Sequence, residues 1–244
     1  MQGDCPSYET IDLPDGVTLD GNGKTMTLTQ IGLDHTRAIR AVGVASAGLR
    51  NLTIDAADAA FAMDDAVRFD VGSGLIENVA ILNNDGAFTG FNVEGDVDIT
   101  GVTVDGSALA CIRYGGTGTI FDSTVRNIDD FALFILDTGD DPATVEDNEL
   151  TNVGIGVFVA GPANITTNTM AGRGGGSGES VGVWFDTSAA GSVAGNTISN
   201  FRNGASAAEA CGIFVAEDAG AVTLGANAFL DPPGNEQDVC DNRP

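Results

Sequence analysis

The sequence predicts an all-β solenoid, one chain wound into about nine stacked coils whose strands pair in parallel from coil to coil. Three observations predict it. A six-residue pattern (apolar, any, any, small or Asn, any, apolar) returns eight times, beginning at Leu49, Ile76, Ile99, Ile120, Val145, Ile165, Val193 and Leu224. Its fourth positions, Leu52, Val79, Val102, Ser123, Asn148, Asn168, Asn196 and Asn227, lie 20 to 31 residues apart, the length of one solenoid turn. Composition agrees: 43% hydrophobic residues with only 6% aromatic suit thin layers of Val, Ile, Leu and Ala, and 34 Gly suit many tight corners. No compositional break interrupts residues 17–229. One domain is therefore expected over 1–244, with coils in 11–230 and a tail or cap in 231–244.

Taken in order, residues 11–23 alternate apolar and polar side chains and end in a glycine-rich corner, and residues 24–30 alternate again. Each later coil carries two readable strands. The second is the six-residue pattern above, closed by Ile54, Ile81, Val104, Val125, Leu150, Met170, Ile198 and Phe229. The first supplies an inward column of Ile39, Val67, Phe91, Ile112, Leu133, Val157, Val183 and Ile213. Two residues on, a second inward column follows from the period of two: Ala41, Phe69, Val93, Tyr114, Ile135, Val159, Phe185 and Val215. Asn148, Asn168, Asn196 and Asn227 occupy equivalent inward corners of four successive coils. At a spacing of about 4.8 Å their amides can bond one to the next, which offsets the cost of burying them. That role is structural.

Charge is the second strong signal. Thirty-five acidic residues face 10 basic ones, for a net charge of −25, and Lys24 is the one lysine. Nucleic-acid binding needs a basic footprint and is excluded as an expectation. Two explanations fit the acidity: a surface adapted to high salt, where screening removes self-repulsion, or Ca²⁺ sites. The scarcity of lysine favours the first and resembles proteins of salt-loving organisms. No cofactor is required by the sequence. Were Ca²⁺ bound, the acidic knot Asp137, Asp140, Asp141, Glu146, Asp147 and Glu149 is the candidate, although it is no EF-hand loop.

The four cysteines, Cys5, Cys111, Cys211 and Cys240, have no metal-ligand spacing. Cys111 and Cys211 fall about 19 Å apart at one strand spacing per coil, too far to bridge. Cys240 in the tail either folds back on Cys211 as a disulfide, which would suggest an oxidising compartment, or both remain thiols. No apolar run reaches the roughly 18 residues of a membrane span. Asn51-Leu52-Thr53 and Asn164-Ile165-Thr166 are glycosylation sequons, usable if the chain is exported.

The Leu19-Asp20-Gly21-Asn22-Gly23 opening, followed by Asn-containing coils, resembles the right-handed parallel β-helix superfamily with its pectate-lyase-like fold. The resemblance covers residues 11–230. It implies a single-stranded right-handed β-helix, and it implies polysaccharide binding along the outer parallel sheet. It says little of activity, because this fold hosts lyases, hydrolases, epimerases, viral tailspikes and adhesins.

Between the two inward columns lies one outward residue per coil: Arg40, Arg68, Asn92, Arg113, Phe134, Phe158, Trp184 and Phe214. The column before it is uniformly small (Ala38, Ala66, Gly90, Cys111, Ala132, Gly156, Gly182, Gly212) and reads as the outward floor of a groove. The column after it carries Asp70, Glu94 and Asp186. Sugar rings stack on aromatic faces and Arg pairs with carboxylate or sulfate groups, so an extended glycan is the first expectation. Four large exposed aromatics need some partner. The other occupants are a second copy, as in trimeric tailspikes, or the chain's own loops at 171–180 and 201–210.

Signals for catalysis are weaker. Polygalacturonase-like glycosidases resembling this fold use an Asn-Thr-Asp motif, an Asp pair and a His-Gly motif. Only an Asp pair, Asp129 and Asp130, is present, and His35, the one histidine, precedes Thr36. Adjacent Asp side chains in a strand point to opposite faces. A lyase-like site would join Ca²⁺ and an Arg base to carboxylates, for which Arg113 with Glu94 and Asp70 is the best set, but Arg is a poor base in water with a pKa above about 12. The expected function is thus binding of an extended polysaccharide by a secreted, cell-surface or virion-exposed protein. The alternative is a structural or adhesion module that uses the aromatic row to self-associate, for example as a homotrimer.

Overall fold

The computed structural model describes residues 5–7, 10–28, 37–57, 63–83, 87–107, 110–136, 139, 141–174, 179–202, 210–230 and 235–244. Among the described residues, twenty-one strands join in one continuous network, and every pairing is parallel. Hairpin pairing is impossible here, because the turn residues sit at corners and each strand meets its equivalent one turn away. The chain makes about seven regular turns, fewer than the nine expected. The opening and closing turns join all three ladders through shorter strands, two residues each at Ile11–Asp12 and Ala228–Phe229.

Each turn contributes to three ladders. The first passes through Arg40, Arg68, Asn92, Arg113, Phe134, Phe158, Trp184 and Phe214 in unbroken register. The second runs Leu49, Ile76, Ile99, Ile120, Val145, Ile165, Val193, Leu224. The third runs Ile54, Ile81, Val104, Val125, Leu150, Met170, Ile198, Phe229. The six-residue pattern is therefore one corner: its first residue ends the second ladder and its last opens the third. Both predicted inward columns of the first ladder are buried throughout. Each such Val, Ile, Leu or Phe side chain contributes roughly 1.5–3 kcal/mol by leaving water.

The corner needs one left-handed residue per turn. Asn51, Asn78, Gly101, Asp122, Asp147 and Gly195 occupy that position with φ between 48° and 72°, which Asn, Asp and Gly tolerate. Thr167 occupies it too, at φ 57°, and a β-branched side chain is strained there by about 1–2 kcal/mol. Thr167→Asn is expected to raise the melting temperature by about 2–4 °C. An unchanged or lowered value in thermal unfolding would show that the corner carries no such strain.

The residue after the left-handed position points inward. In early turns it is Leu52, Val79 and Val102, all buried; in later turns it is Asn. Asn148 donates from both its peptide N–H and its Nδ2 to Asn168 Oδ1, at 3.0 and 2.9 Å. Asn168 does the same to Asn196 Oδ1, at 2.9 and 3.0 Å. Asn196 does so to Asn227 Oδ1, at 3.1 and 2.9 Å. The chain of bonds continues backward, since Ser123 N–H donates to Asn148 Oδ1 and Val102 N–H to Ser123 Oγ. Each Asn Nδ2 also reaches a backbone carbonyl, such as Ile120 from Asn148.

One expectation is corrected. The small column Ala38, Ala66, Gly90, Cys111, Ala132, Gly156, Gly182, Gly212 is buried and faces the interior. It lines the corner where the third ladder passes into the first, so two successive residues (38 and 39, for example) both point in. Size is limiting there: a Cβ at Gly90 would lie 2.7 Å from the Cys111 carbonyl oxygen and 3.1 Å from Val104 Cγ1. The C-terminal tail folds back on the last coil. Residues Gln237–Asp241 form a strand that adds a rung to the first ladder. Cys240 in that rung is bonded to Cys211 with Cα atoms 6.1 Å apart, while Cys111 is a free, buried thiol. Arg243 closes the end by donating to the Val222 carbonyl at 2.9 Å. The described residues contain no helix, hence none long and apolar enough to cross a membrane.

Candidate functional site

The outer face of the first ladder carries the predicted stripe, with a neighbouring column that sequence reasoning missed. Because two residues turn inward at each corner, the true flanking column lies three positions before the stripe: Arg37, Asp65, Thr89, Ala110, Phe131, Ile155, Val181 and Cys211. Its register is continuous from Asp65 onward. The signal was present in the sequence. A column made only of Ala, Gly and Cys is what a tight corner requires, whereas an exposed column varies. The far side of the stripe carries Asp70, Glu94 and Asp186, as expected.

Along the axis this face divides into a polar half and an aromatic half. In the polar half the arginines are already paired. Arg40 makes two bonds to Asp12, at 2.6 and 3.0 Å. Arg68 Nη2 donates to Glu94 Oε1 at 3.2 Å. Arg113 Nη1 donates to Asn92 Oδ1 at 2.9 Å and lies 3.6 Å from Glu94 Oε1. Asn92, only 6% exposed, turns its Nδ2 to Asp65 Oδ1 at 3.0 Å. Asp65 is 3% exposed and accepts from Arg37 Nε at 3.0 Å. A connected network thus runs Arg37, Asp65, Asn92, Arg113, Glu94, Arg68, with Asp70 beside Glu94 in the ladder. The structure brings Arg113, Glu94 and Asp70 together, with Glu94 shared between Arg113 and Arg68.

In the aromatic half, Phe131, Phe134, Phe158, Trp184 and Phe214 form a contiguous row. Centroid separations are 5.4 Å for Phe131 and Phe134, 5.0 Å for Phe134 and Phe158, 5.7 Å for Phe158 and Trp184, and 4.8 Å for Trp184 and Phe214. The pair angles of 46–62° beyond the first, stacked pair are edge or tilted contacts. Beneath the rings lies a small second core of Ile155, Val181, Cys211 and Phe214, on which Phe131, Phe158 and Trp184 pack. The expected floor of small residues is therefore replaced by a floor of aliphatic ones, and the rings are half-buried. Phe214 is the exception at 5% exposed, because the rung carrying Cys240 lies against it. The Trp184 indole N–H is buried and has no acceptor among the described residues. An orphaned donor of this kind costs about 1–3 kcal/mol.

Carboxylates edge this patch. Asp186 follows Trp184 by two residues on the same face. On the opposite side Asp129 turns to solvent, where Arg173 donates to both its carboxylate and its carbonyl. Asp130 is half-buried, and its carboxyl is pushed up to about 6, first by burial and then by Glu179 and Asp129, with Arg173 opposing. The Asp pair thus divides between a solvent ion pair and a partly buried acid. A carboxyl with a raised pKa in the fold destabilises once ionised, so its penalty grows as pH rises from about 4 to about 6 and is constant above. Asp130→Asn is expected to match wild type at pH 4 and to melt higher at pH 7. Equal melting curves at both pH values would remove this assignment.

Part of the remaining candidate set falls outside the described residues. Asp137 and Asp140 lie outside the described residues, as do His35, 175–178 and 203–209 of the two loops weighed as covers. Among the described residues no group of three or more His, Cys, Asp and Glu is gathered as for a metal ion. A shallow polar groove at the first corners is lined by Asn22, Asn51 and Asn78. There Asn51 of the first sequon donates to Asp20 at 3.2 Å, and in the second sequon Asn164 Oδ1 accepts from Ser192 Oγ at 2.7 Å. A family model described as a right-handed beta helix region matches residues 37–229. No curated protein matches the sequence.

Proposed function

This chain belongs to the right-handed β-helix family, and from that scaffold we propose that it is an exported, surface-exposed protein that binds an extended polysaccharide along the aromatic half of its outer stripe. The contiguous aromatic row carries the reading. From turn to turn the rings Phe134, Phe158, Trp184 and Phe214 repeat every 4.8–5.7 Å, close to the advance of one sugar unit. Rings held on an aliphatic floor are pre-organised and lose little freedom on binding. The Cys211–Cys240 link suits an oxidising compartment. Binding is favoured over turnover, because the arginines nearest to any carboxylate set are neutralised within the chain.

Self-association through the same rings is the second reading, favoured by the apolar character of the patch. Trp184→Ala separates the two. Under the binding reading the wild type is a monomer in molar salt, polysaccharide quenches Trp184 fluorescence, and the variant loses at least about tenfold in affinity, as for a stacking anchor. A trimer with Trp184 already shielded, dissociating on Trp184→Ala, would sink the binding reading and establish the other.

A further inference from the structure

We infer that the ligand of this face is a neutral polysaccharide, which excludes the uronate and sulfated polymers that a row of arginines suggests from sequence. The inference rests on the binding reading above and names its ligand class. In the polar half, four arginines (Arg37, Arg40, Arg68, Arg113) face five carboxylates (Asp12, Asp64, Asp65, Asp70, Glu94), so 4 − 5 leaves a charge of −1. Every one of those arginines has an acid within 3.6 Å. A ligand carboxylate laid over Arg68 or Arg113 would have to displace Glu94 and leave it facing another anion. Displacing Asp65 is harder still, because it is buried and also held by Asn92.

Among the described residues, the stripe and flanking columns of the aromatic half offer no cation to replace them. These columns hold no Lys or Arg between Phe131 and Cys240, and Arg173 at the rim is engaged by Asp129. Asp130, Glu179 and Asp186 edge the rings instead. Carboxylates accept hydrogen bonds from sugar hydroxyls and repel sugar carboxylates. The net charge of −25 adds long-range repulsion of any polyanion at low salt. Ring stacking and hydroxyl-to-carboxylate bonds, by contrast, need a pyranose with an unsubstituted hydroxyl edge and an apolar C–H face. A screened, salt-rich solution leaves those contacts intact, since stacking involves no net charge.

The test uses the whole chain, with Trp184 fluorescence and affinity electrophoresis as readouts. The probes are neutral polymers (hydroxyethyl cellulose, galactomannan, xyloglucan) and anionic ones (carboxymethyl cellulose, polygalacturonate, a sulfated galactan), each at low and at molar salt. The expected result is at least one neutral polymer bound about tenfold or more tighter than every anionic one, with an affinity that changes less than about twofold with salt. An anionic polymer bound as tightly as the neutral ones overturns the ligand class and leaves the binding reading standing. Silence toward every polymer overturns both. Glu94→Gln adds a distinguishing arm: by freeing Arg68 and Arg113 it is expected to improve anionic binding at low salt without altering neutral binding.

Discussion

Asn168→Leu is expected to lower stability by roughly 3–5 kcal/mol. Leu is close to Asn in shape, and the same inward column accepts Leu52, Val79 and Val102 in earlier turns, so packing alone predicts little cost. The loss comes from hydrogen bonds. Without Asn168 Oδ1, the buried Asn148 peptide N–H has no acceptor and Asn148 Nδ2 keeps one partner of two. The Val145 and Thr166 carbonyls lose the Asn168 Nδ2. An orphaned buried donor costs about 1–3 kcal/mol and each further lost bond about 1. Asn227→Ala breaks equivalent bonds at the half-exposed end of the ladder, where water can substitute, and is expected to cost only about 1 kcal/mol. Denaturant unfolding of the two variants checks the account; equal losses would mean that the ladder is not the source.

Arg37→Met is expected to cost about 3 kcal/mol, nearly all of it through Asp65. That carboxylate is 3% exposed and retains only Asn92 once the guanidinium is gone. Removing one member of a buried pair strands the other in a poor solvent for charge, typically at 3–5 kcal/mol, and the partial exposure of Arg37 places this case at the lower end. The double variant Arg37→Met/Asp65→Asn is expected to recover most of the loss, since the uncompensated charge is then absent. If the double variant is as unstable as the single one, the polar half of the face is held by something other than this pair. Recovery would establish that these arginines serve the fold, which is the premise for a neutral ligand.

The fold was legible because a parallel solenoid writes each column into the sequence at nearly constant intervals. Ile39 to Ile213 and Ala41 to Val215 are buried because a period of two holds within a straight strand. It failed where the strand bends. Residues 38 and 39 both face in, so the column read as a groove floor belongs to the interior, and Phe131, Ile155 and Val181 were passed over as part of the binding face. The aromatic row itself was visible as Phe134, Phe158, Trp184 and Phe214. The fate of the arginines was not. Arg68 and Glu94 are 26 residues apart in sequence and adjacent only because one turn stacks on the next, and a charge pattern read along the chain cannot show which acid each arginine will meet. That the tail pairs as a strand was not legible, since Gln237–Asp241 has few apolar residues, yet a last rung needs only one neighbour to pair with.

The bond between Cys211 and Cys240 fixes how tension would travel through the molecule. The two residues are 29 apart in sequence and belong to adjacent rungs. A pull on the C-terminus therefore passes from Cys240 directly to Cys211, bypassing the whole intervening turn, which amounts to about 100 Å of extended chain at roughly 3.5 Å per residue. That length stays hidden until the link is reduced. Force arrives instead within the strand Ala210–Val215, which is paired on both sides, so the end of the solenoid cannot be peeled one rung at a time. Were the protein held at a surface while bound to a long polymer, tension on its C-terminal end would thus meet a doubly paired strand before it met any free turn.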